Sequence, residues 1–170
     1  MLFRSWEKVT TDIFTSDDKS FLCTIDYYSG YFEVDELHSK TGTVIIKKLE
    51  KHFATHGIPN ELVSDNGPPF NSAEFENFLR SSGTEHLTSS PGYPQSSGQV
   101  ENAVKTAKNL IKKAKESGAE YYLSLLSWRN TPTEGMNSSL AQRMFGRRTQ
   151  TQLPTTKILL KLQSLDATST

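Results

Sequence analysis

The chain has 170 residues, enough for one domain with a real core, with 35% hydrophobic and 22% charged residues and a formal net charge of zero. No apolar run approaches the roughly 18 residues of a membrane span, and the start MLFRSWEKVTTDIF lacks the apolar run and small-residue cleavage site of a signal peptide. Cys23 is the single cysteine, which excludes an internal disulfide and a cysteine zinc cluster and makes an intracellular home the expectation. The charge is unevenly spread. Residues 1–100 hold 8 Lys and Arg against 14 Asp and Glu, and residues 101–150 hold 9 against 4. An acidic front beside a basic back suits cations and polyanions in adjacent places, although two solvated faces give the same count.

In chain order, residues 8–14 (KVTTDIF), 20–28 (SFLCTIDYY) and 31–38 (YFEVDELH) are rich in Val, Ile, Thr, Tyr and Phe. Short turn-like links separate them, so they read as three antiparallel strands. Ile45, Ile46, Leu49 and Phe53 fall at helical spacing over residues 43–56, with Gly57 as the stop. Residues 61–64 read as a short buried strand. Asn71 with Glu74 reads as a capping box for a helix carrying Phe75, Phe78 and Leu79 and ending at Gly83. Residues 84–88 read as a fifth strand. SSPGYPQSSGQVE has no periodicity and reads as a mobile loop. Residues 99–115 form the clearest helix, with Val100, Val104, Ala107, Ile111 and Ala114 toward the core. Residues 119–129 and 138–145 read as further helices, and the last residues as a poorly ordered tail. The order βββαβαβααα gives an α/β fold, a mixed sheet with helices on both faces.

Three carboxylates stand out. Asp12 lies inside a predicted strand, where Asp is disfavoured. Asp65, in SDNGPPF, lies where a strand ends, the usual place for ligands in open α/β sheets. Glu101 lies in the first turn of the long helix. Each has a plainer reading: a solvent-facing strand residue, an Asx-turn, and a favourable charge at a helix N-terminus. Asp17, Asp18, Asp26 and Asp35 compete for the first place. The chemistry that would use all three is metal-assisted phosphoryl transfer, because hard cations such as Mg²⁺ take carboxylate oxygens and can flank one phosphate. Lys105, Lys108, Lys112 and Lys115 continue from Glu101 along one helix stripe. That stripe is either a phosphate track or a solvated face with an i,i+4 ion pair.

The segments WEKVTTDIF, FLCTIDYYSGYFEV, FATHGIPNELVSDNGPPFNSAEF, HLTSSPGYPQSSGQVENAVKTAKNLI, LLSWRNTP and FGRRTQTQLP follow one another over residues 6–154. Together they resemble the integrase catalytic core of gypsy-type long-terminal-repeat retrotransposons, relatives of the retroviral integrases. The 35 residues between Asp65 and Glu101 match that family's spacing. The resemblance implies an RNase H-like fold, a five-stranded mixed sheet flanked by helices, as a core domain over residues 6–154 with a tail over 155–170. It implies Asp12, Asp65 and Glu101 as catalytic residues and ligands of two Mg²⁺ or Mn²⁺ ions. It further implies DNA contacts from Asn66, Tyr93, Gln95, Ser97, Lys105, Lys108 and Lys112. The activity implied is removal of nucleotides from a DNA 3′ end, followed by attack of that end on target DNA. A homodimer through the core and a nuclear location are implied as well, and no membrane partner.

Ser97 stands where the family usually has Asn, and Leu140 where it usually has Pro. The family's zinc-binding and C-terminal DNA-binding modules have no counterpart in these residues. His52 and His56, four apart, are expected on an ordinary helix face. Two further readings follow: a catalytically silent, host-retained module that binds DNA or protein, and an RNase H-like nuclease acting on RNA–DNA hybrids or branched DNA.

Overall fold

Alternating β-branched and aromatic residues build the first three strands, β1 (Lys8–Ser16), β2 (Lys19–Asp26) and β3 (Phe32–Leu37). The computed structural model describes residues 4–89, 98–118 and 120–162. β1 and β2 pair antiparallel through a two-residue turn, Asp17–Asp18, with φ of 49° and 63°. Two successive left-handed residues match the twist of a tight hairpin, and Asp tolerates that conformation better than most residues. β2 and β3 also pair antiparallel.

The chain then alternates: α1 (Gly42–His56), β4 (Glu61–Ser64), α2 (Ala73–Ser82) and β5 (Glu85–Thr88). β4 runs parallel to β1, and β5 parallel to β4. The five strands lie in the order β3-β2-β1-β4-β5. α3 (Gly98–Ser117), α4 (Tyr121–Asn130), α5 (Leu140–Phe145) and the single turn α6 (Lys157–Leu160) complete the described chain. Among the described residues no helix is long and apolar enough to cross a membrane.

Side-chain alternation sorts the core into two layers. Val9, Leu22, Leu37 and Leu62 face α1 and α2, meeting Ile45, Leu49, Phe53, Phe75 and Leu79. Phe14, Phe21, Cys23 and Ile25 face the other way, meeting Ala103, Ala107 and Ile111 of α3, Leu125 of α4 and Leu140 of α5. The α3 seam is therefore Ala103, Ala107, Ile111 and Ala114, with Val104 partly buried beside it. The small residues let the helix lie close to the sheet.

One local expectation is corrected. Ser72, not Asn71, caps α2: its hydroxyl accepts from the Phe75 amide at 3.2 Å. Glu74 turns away to accept from Thr43 Oγ1 at 2.9 Å, tying the start of α2 to the start of α1. His52 and His56 share a face of α1, as expected, and each meets an acid of β3. His52 meets Asp35 at 2.5 Å, and His56 meets Glu33 at 3.0 Å. Both rings are buried between α1 and β3. At position 140, a capping box replaces the proline. Ser139 Oγ accepts from the Gln142 amide, and Gln142 Oε1 accepts from the Ser139 amide.

Glu33 joins the two layers across the edge strand. Its carboxylate takes His56 from α1 and, at 3.4 Å, Arg129 from α4. Arg129 also donates to the Phe32 carbonyl and stacks over Tyr31 at 4.3 Å. Burial by itself would raise the Glu33 carboxyl. The His56 hydrogen bond and the charges of Arg129, His52 and His56 outweigh it and hold the group below its ordinary 4.5. A depressed carboxyl contributes stability that is fully present above its unfolded pKa and is lost as pH falls through the folded value. Glu33→Gln is therefore expected to cost about 1–3 kcal/mol at pH 7, in keeping with hydrogen bonds to charged groups. Urea denaturation across pH should show that cost fading below about 4.5.

Candidate active site

β1 and β4 carry the first two carboxylates to the same level. Thr10 pairs with Val63 in the parallel ladder. Two residues further along each chain come Asp12, still on β1, and Asp65, just past the end of β4. Neighbouring strands lie only about 4.7–4.9 Å apart, so the register itself makes these acids neighbours. Asp12 shares a face with Thr10 and Phe14, the face that α3 covers. Glu101, in the first turn of α3, is exposed beside them. Asp12, Asp65 and Glu101 line one cavity of about 500 Å³, together with Thr10, Thr11, Ser64, Ser89, Val104, Lys105 and Lys108.

The three acids differ in state. Asp12 is half-buried and accepts from the Ile13 amide at 3.0 Å. Loss of water raises its carboxyl above the ordinary 3.8. The Ile13 hydrogen bond pulls it back, the Asp65 charge raises it again, and Lys108 lowers it. Asp65 is exposed, and its Oδ1 accepts from the Gly67 amide at 2.8 Å. The Asx-turn and the ligand readings of Asp65 are thus compatible, because one carboxylate oxygen makes the turn and the other remains. A Cβ added at Gly67 would stand 3.2 Å from Asp65 Oδ1, so glycine there keeps the carboxylate uncrowded.

The competing aspartates are spoken for. Asp26 is fully buried and accepts from the amides of Trp6, Tyr28 and Ser29 and from Ser29 Oγ at 2.6 Å. It pins the β2–β3 connection. Asp35 pairs with His52, and Asp17 and Asp18 form the hairpin turn.

The lysine stripe divides. Lys105 and Lys108 line the cavity, and Lys108 Nζ lies 5.5 Å from the Phe14 ring centroid. Lys112 is exposed. Lys115 pairs with Asp17 at 3.7 Å and fastens α3 to the hairpin. Asn66 is exposed beside Asp65. Tyr93, Gln95 and Ser97, and the loop that carries them, lie outside the described residues.

Residues 4–94 match the family model of the integrase core domain, more than half of the chain. The chain belongs to the integrase core domain family. Its relatives include uncharacterized protein K02A2.6 of Caenorhabditis elegans, 37% identical over 147 residues, 81% of this chain and 12% of that protein. The Pol polyprotein of feline endogenous virus ECE1 is 36% identical over 121 residues, 67% of this chain and 12% of the polyprotein. The Gag-Pol polyprotein of gibbon ape leukemia virus is 36% identical over 136 residues, 75% of this chain and 8% of the polyprotein. The chain thus spans about a tenth of the length of these relatives.

Two solved structures share the fold. The catalytic core domain of BIV integrase superposes with a TM-score of 0.70 at 21% identity, over 81% of this chain and 92% of that one. A chain of the simian T-cell lymphotropic virus intasome in complex with PP2A regulatory subunit B56 gamma gives 0.73 at 22% identity, over 91% and 59%. The five-stranded sheet flanked by helices is therefore the RNase H-like fold of an integrase core.

In this integrase core the donor set is all carboxylate oxygen, which suits a hard divalent cation. The desolvated Asp12 beside the charge of Asp65 is a local excess of negative charge that a cation would relieve. Among the described residues, however, no three His, Cys, Asp or Glu side chains already form a group able to hold a metal ion. The acids share a cavity without closing into a cage. A raised carboxyl contributes stability that is full below its unfolded pKa and is lost as pH rises through the folded value. In chelator, Asp12→Asn is expected to raise the melting temperature at pH 7. In a thermal-denaturation series the gain should shrink as the pH approaches 3.8.

Proposed function

We propose that this chain is the catalytic core of a gypsy-type retrotransposon integrase, a divalent-metal-dependent polynucleotidyl transferase acting on DNA. The observation that carries the reading is the convergence of Asp12, Asp65 and Glu101, from β1, β4 and α3, on one cavity. In this reading, residues 6–154 form the core, two cores pair, and the protein works on DNA in the nucleus. When bound, Mg²⁺ or Mn²⁺ activates the attacking oxygen and neutralises charge on the phosphate.

The chain's own part is positioning and charge. Asp12 is held from behind by the sheet and presents its carboxylate to the cavity. Gly67 fixes one oxygen of Asp65 and so aims the other. Lys105 and Lys108 bring positive charge to the cavity wall, where a phosphate of the DNA backbone would lie. Asn66 and Lys112 extend that contact surface, and the family resemblance adds Tyr93, Gln95 and Ser97, outside the described residues, as DNA contacts. Water attacks first and breaks the bond between phosphorus and the 3′ oxygen. The freed 3′ hydroxyl then attacks a target phosphate in line, displacing the target strand's own 3′ oxygen.

The family departures at Ser97 and Leu140 and the neutral net charge motivate the second reading, a silent DNA- or protein-binding module. Magnesium titration separates the two. At a hundredfold its dissociation constant, Mg²⁺ is expected to stabilise the chain by about 2.7 kcal/mol. No stabilisation would support the silent module.

Activity gives the direct test, as Mg²⁺- or Mn²⁺-dependent nicking and strand transfer on element-end DNA. Asp65→Asn and Glu101→Gln should each lower the rate at least about 10²-fold, the scale of losing one preorganised electrostatic contact. Unchanged rates would remove these residues from the site. For the lysines, Lys108→Ala with Lys112→Ala should reduce the slope of log affinity against log salt by about 0.9 per lost phosphate contact. An unaltered slope would return the stripe to a solvated face.

A further inference from the structure

Behind the SDNG turn, on the α2 side of the sheet, three polar side chains run in a line that the proposed chemistry does not use. Ser64, the last residue of β4, is 2% exposed. Its Oγ donates to the Asp65 carbonyl at 2.8 Å and lies 2.7 Å from Nε2 of His86 on β5. His86 Nδ1 lies 2.5 Å from Glu76 Oε1 on α2. The His86 ring stands edge-on to Phe75 at 5.3 Å, which holds its plane.

The serine direction is set by its single proton, which goes to the Asp65 carbonyl. His86 lies between the two, with Nε2 facing Ser64 Oγ and Nδ1 facing the Glu76 carboxylate, and the ring's tautomer sets the direction of each bond. The line reads from α2 along that side of the sheet to the peptide that begins the turn. Its members lie 22 and 10 positions apart in the chain, so only the fold assembles them.

We propose that Ser64, His86 and Glu76 are positioning residues for Asp65, a relay that fixes the peptide from which the Asp65 carboxylate reaches toward a divalent cation. This rests on the metal-site reading above. Asp65 is exposed, and little packing holds its side chain. Gly67 holds one carboxylate oxygen from ahead, and Ser64 holds the carbonyl from behind. Those two bonds set where the second oxygen points. Hydrogen-bonded groups one shell out from a metal commonly matter about 10–100-fold for affinity or activity.

The same residue types serve in hydrolases, but not in this setting. Ser64 is buried, its Oγ is bonded to the Asp65 carbonyl, and the adjacent Asp65 carboxylate would repel a developing oxyanion.

The test uses the ¹⁵N-labelled chain and the variants Ser64→Ala, His86→Leu and His86→Gln. The Gly67 amide resonance reports the Asp65 Oδ1 bond without metal, and calorimetry reports Mg²⁺ affinity. Ser64→Ala and His86→Leu should move the Gly67 resonance and weaken Mg²⁺ binding by about 10–100-fold. His86→Gln, whose amide can still donate to Ser64, should restore both toward wild type. A Gly67 resonance unmoved in Ser64→Ala and His86→Leu, with the rest of the spectrum folded, overturns the relay. So does a His86→Gln protein that behaves like His86→Leu. If the wild-type chain binds no Mg²⁺, the metal-site reading fails, and the Gly67 resonance alone decides the relay.

Discussion

The parallel pairing of β1 with β4 is the constraint from which the rest follows. It sets Thr10 against Val63, and with that it sets Asp12 level with Asp65. A slip of one residue would turn Asp12 to the α1–α2 side and take its carboxylate out of line with Asp65, because side chains alternate along a strand. The pairing is protected on both sides. Val9 and Leu62 are fully buried against α1 and α2, and Phe14 and Phe21 stack against the face under α3. Two hydrophobic layers therefore hold the register that makes two like charges neighbours.

Those charges oppose folding where they stand, and the structure offsets them elsewhere. Asp26 and Asp12 sit on adjacent strands, and their surroundings are opposite. Asp26 gathers three backbone amides and a hydroxyl and is satisfied inside the core. Asp12 has lost water and faces another carboxylate. At the far edge, Glu33 draws on a histidine and an arginine from opposite layers. Asp26 is saturated with donors, while Asp12 and Asp65 each accept one backbone amide. That contrast separates Asp12 and Asp65 from Asp26 more sharply than charge count does.

Element order and the antiparallel meander were legible in the residues, because periodicity and turn chemistry are local signals, whereas Asp12, Asp65 and Glu101 were joined only by the family resemblance. The partners of His52 and His56 were not legible. Two histidines four apart mark a helix face, but only the sheet supplies Asp35 and Glu33, two residues apart on an edge strand. The cap of α2 was displaced by one residue, since Asn71 and Ser72 are both good caps and the choice depends on which hydroxyl or amide reaches Phe75. Ser64, His86 and Glu76 left no signal at all. Each is an ordinary residue in its own element, and the β4–β5 register alone brings them into line.

The start of α5 shows how a local rule can be met by different atoms. Proline at a first helical position works by fixing φ and by having no amide to leave unpaired. Leu140 gives up that advantage, yet the helix starts cleanly, because Ser139 and Gln142 satisfy each other's backbone amides. The larger side chain then does something proline would do less well: it fills the layer between α3 and β2–β3, with a methyl 3.4 Å from where a Cβ on Gly30 would lie. Gly30 has a φ of 75° and closes the turn that Asp26 pins. The departure at position 140 thus belongs to core packing on the α3 side of the sheet. It removes no carboxylate from the cavity and leaves the proposed chemistry where the strand register put it.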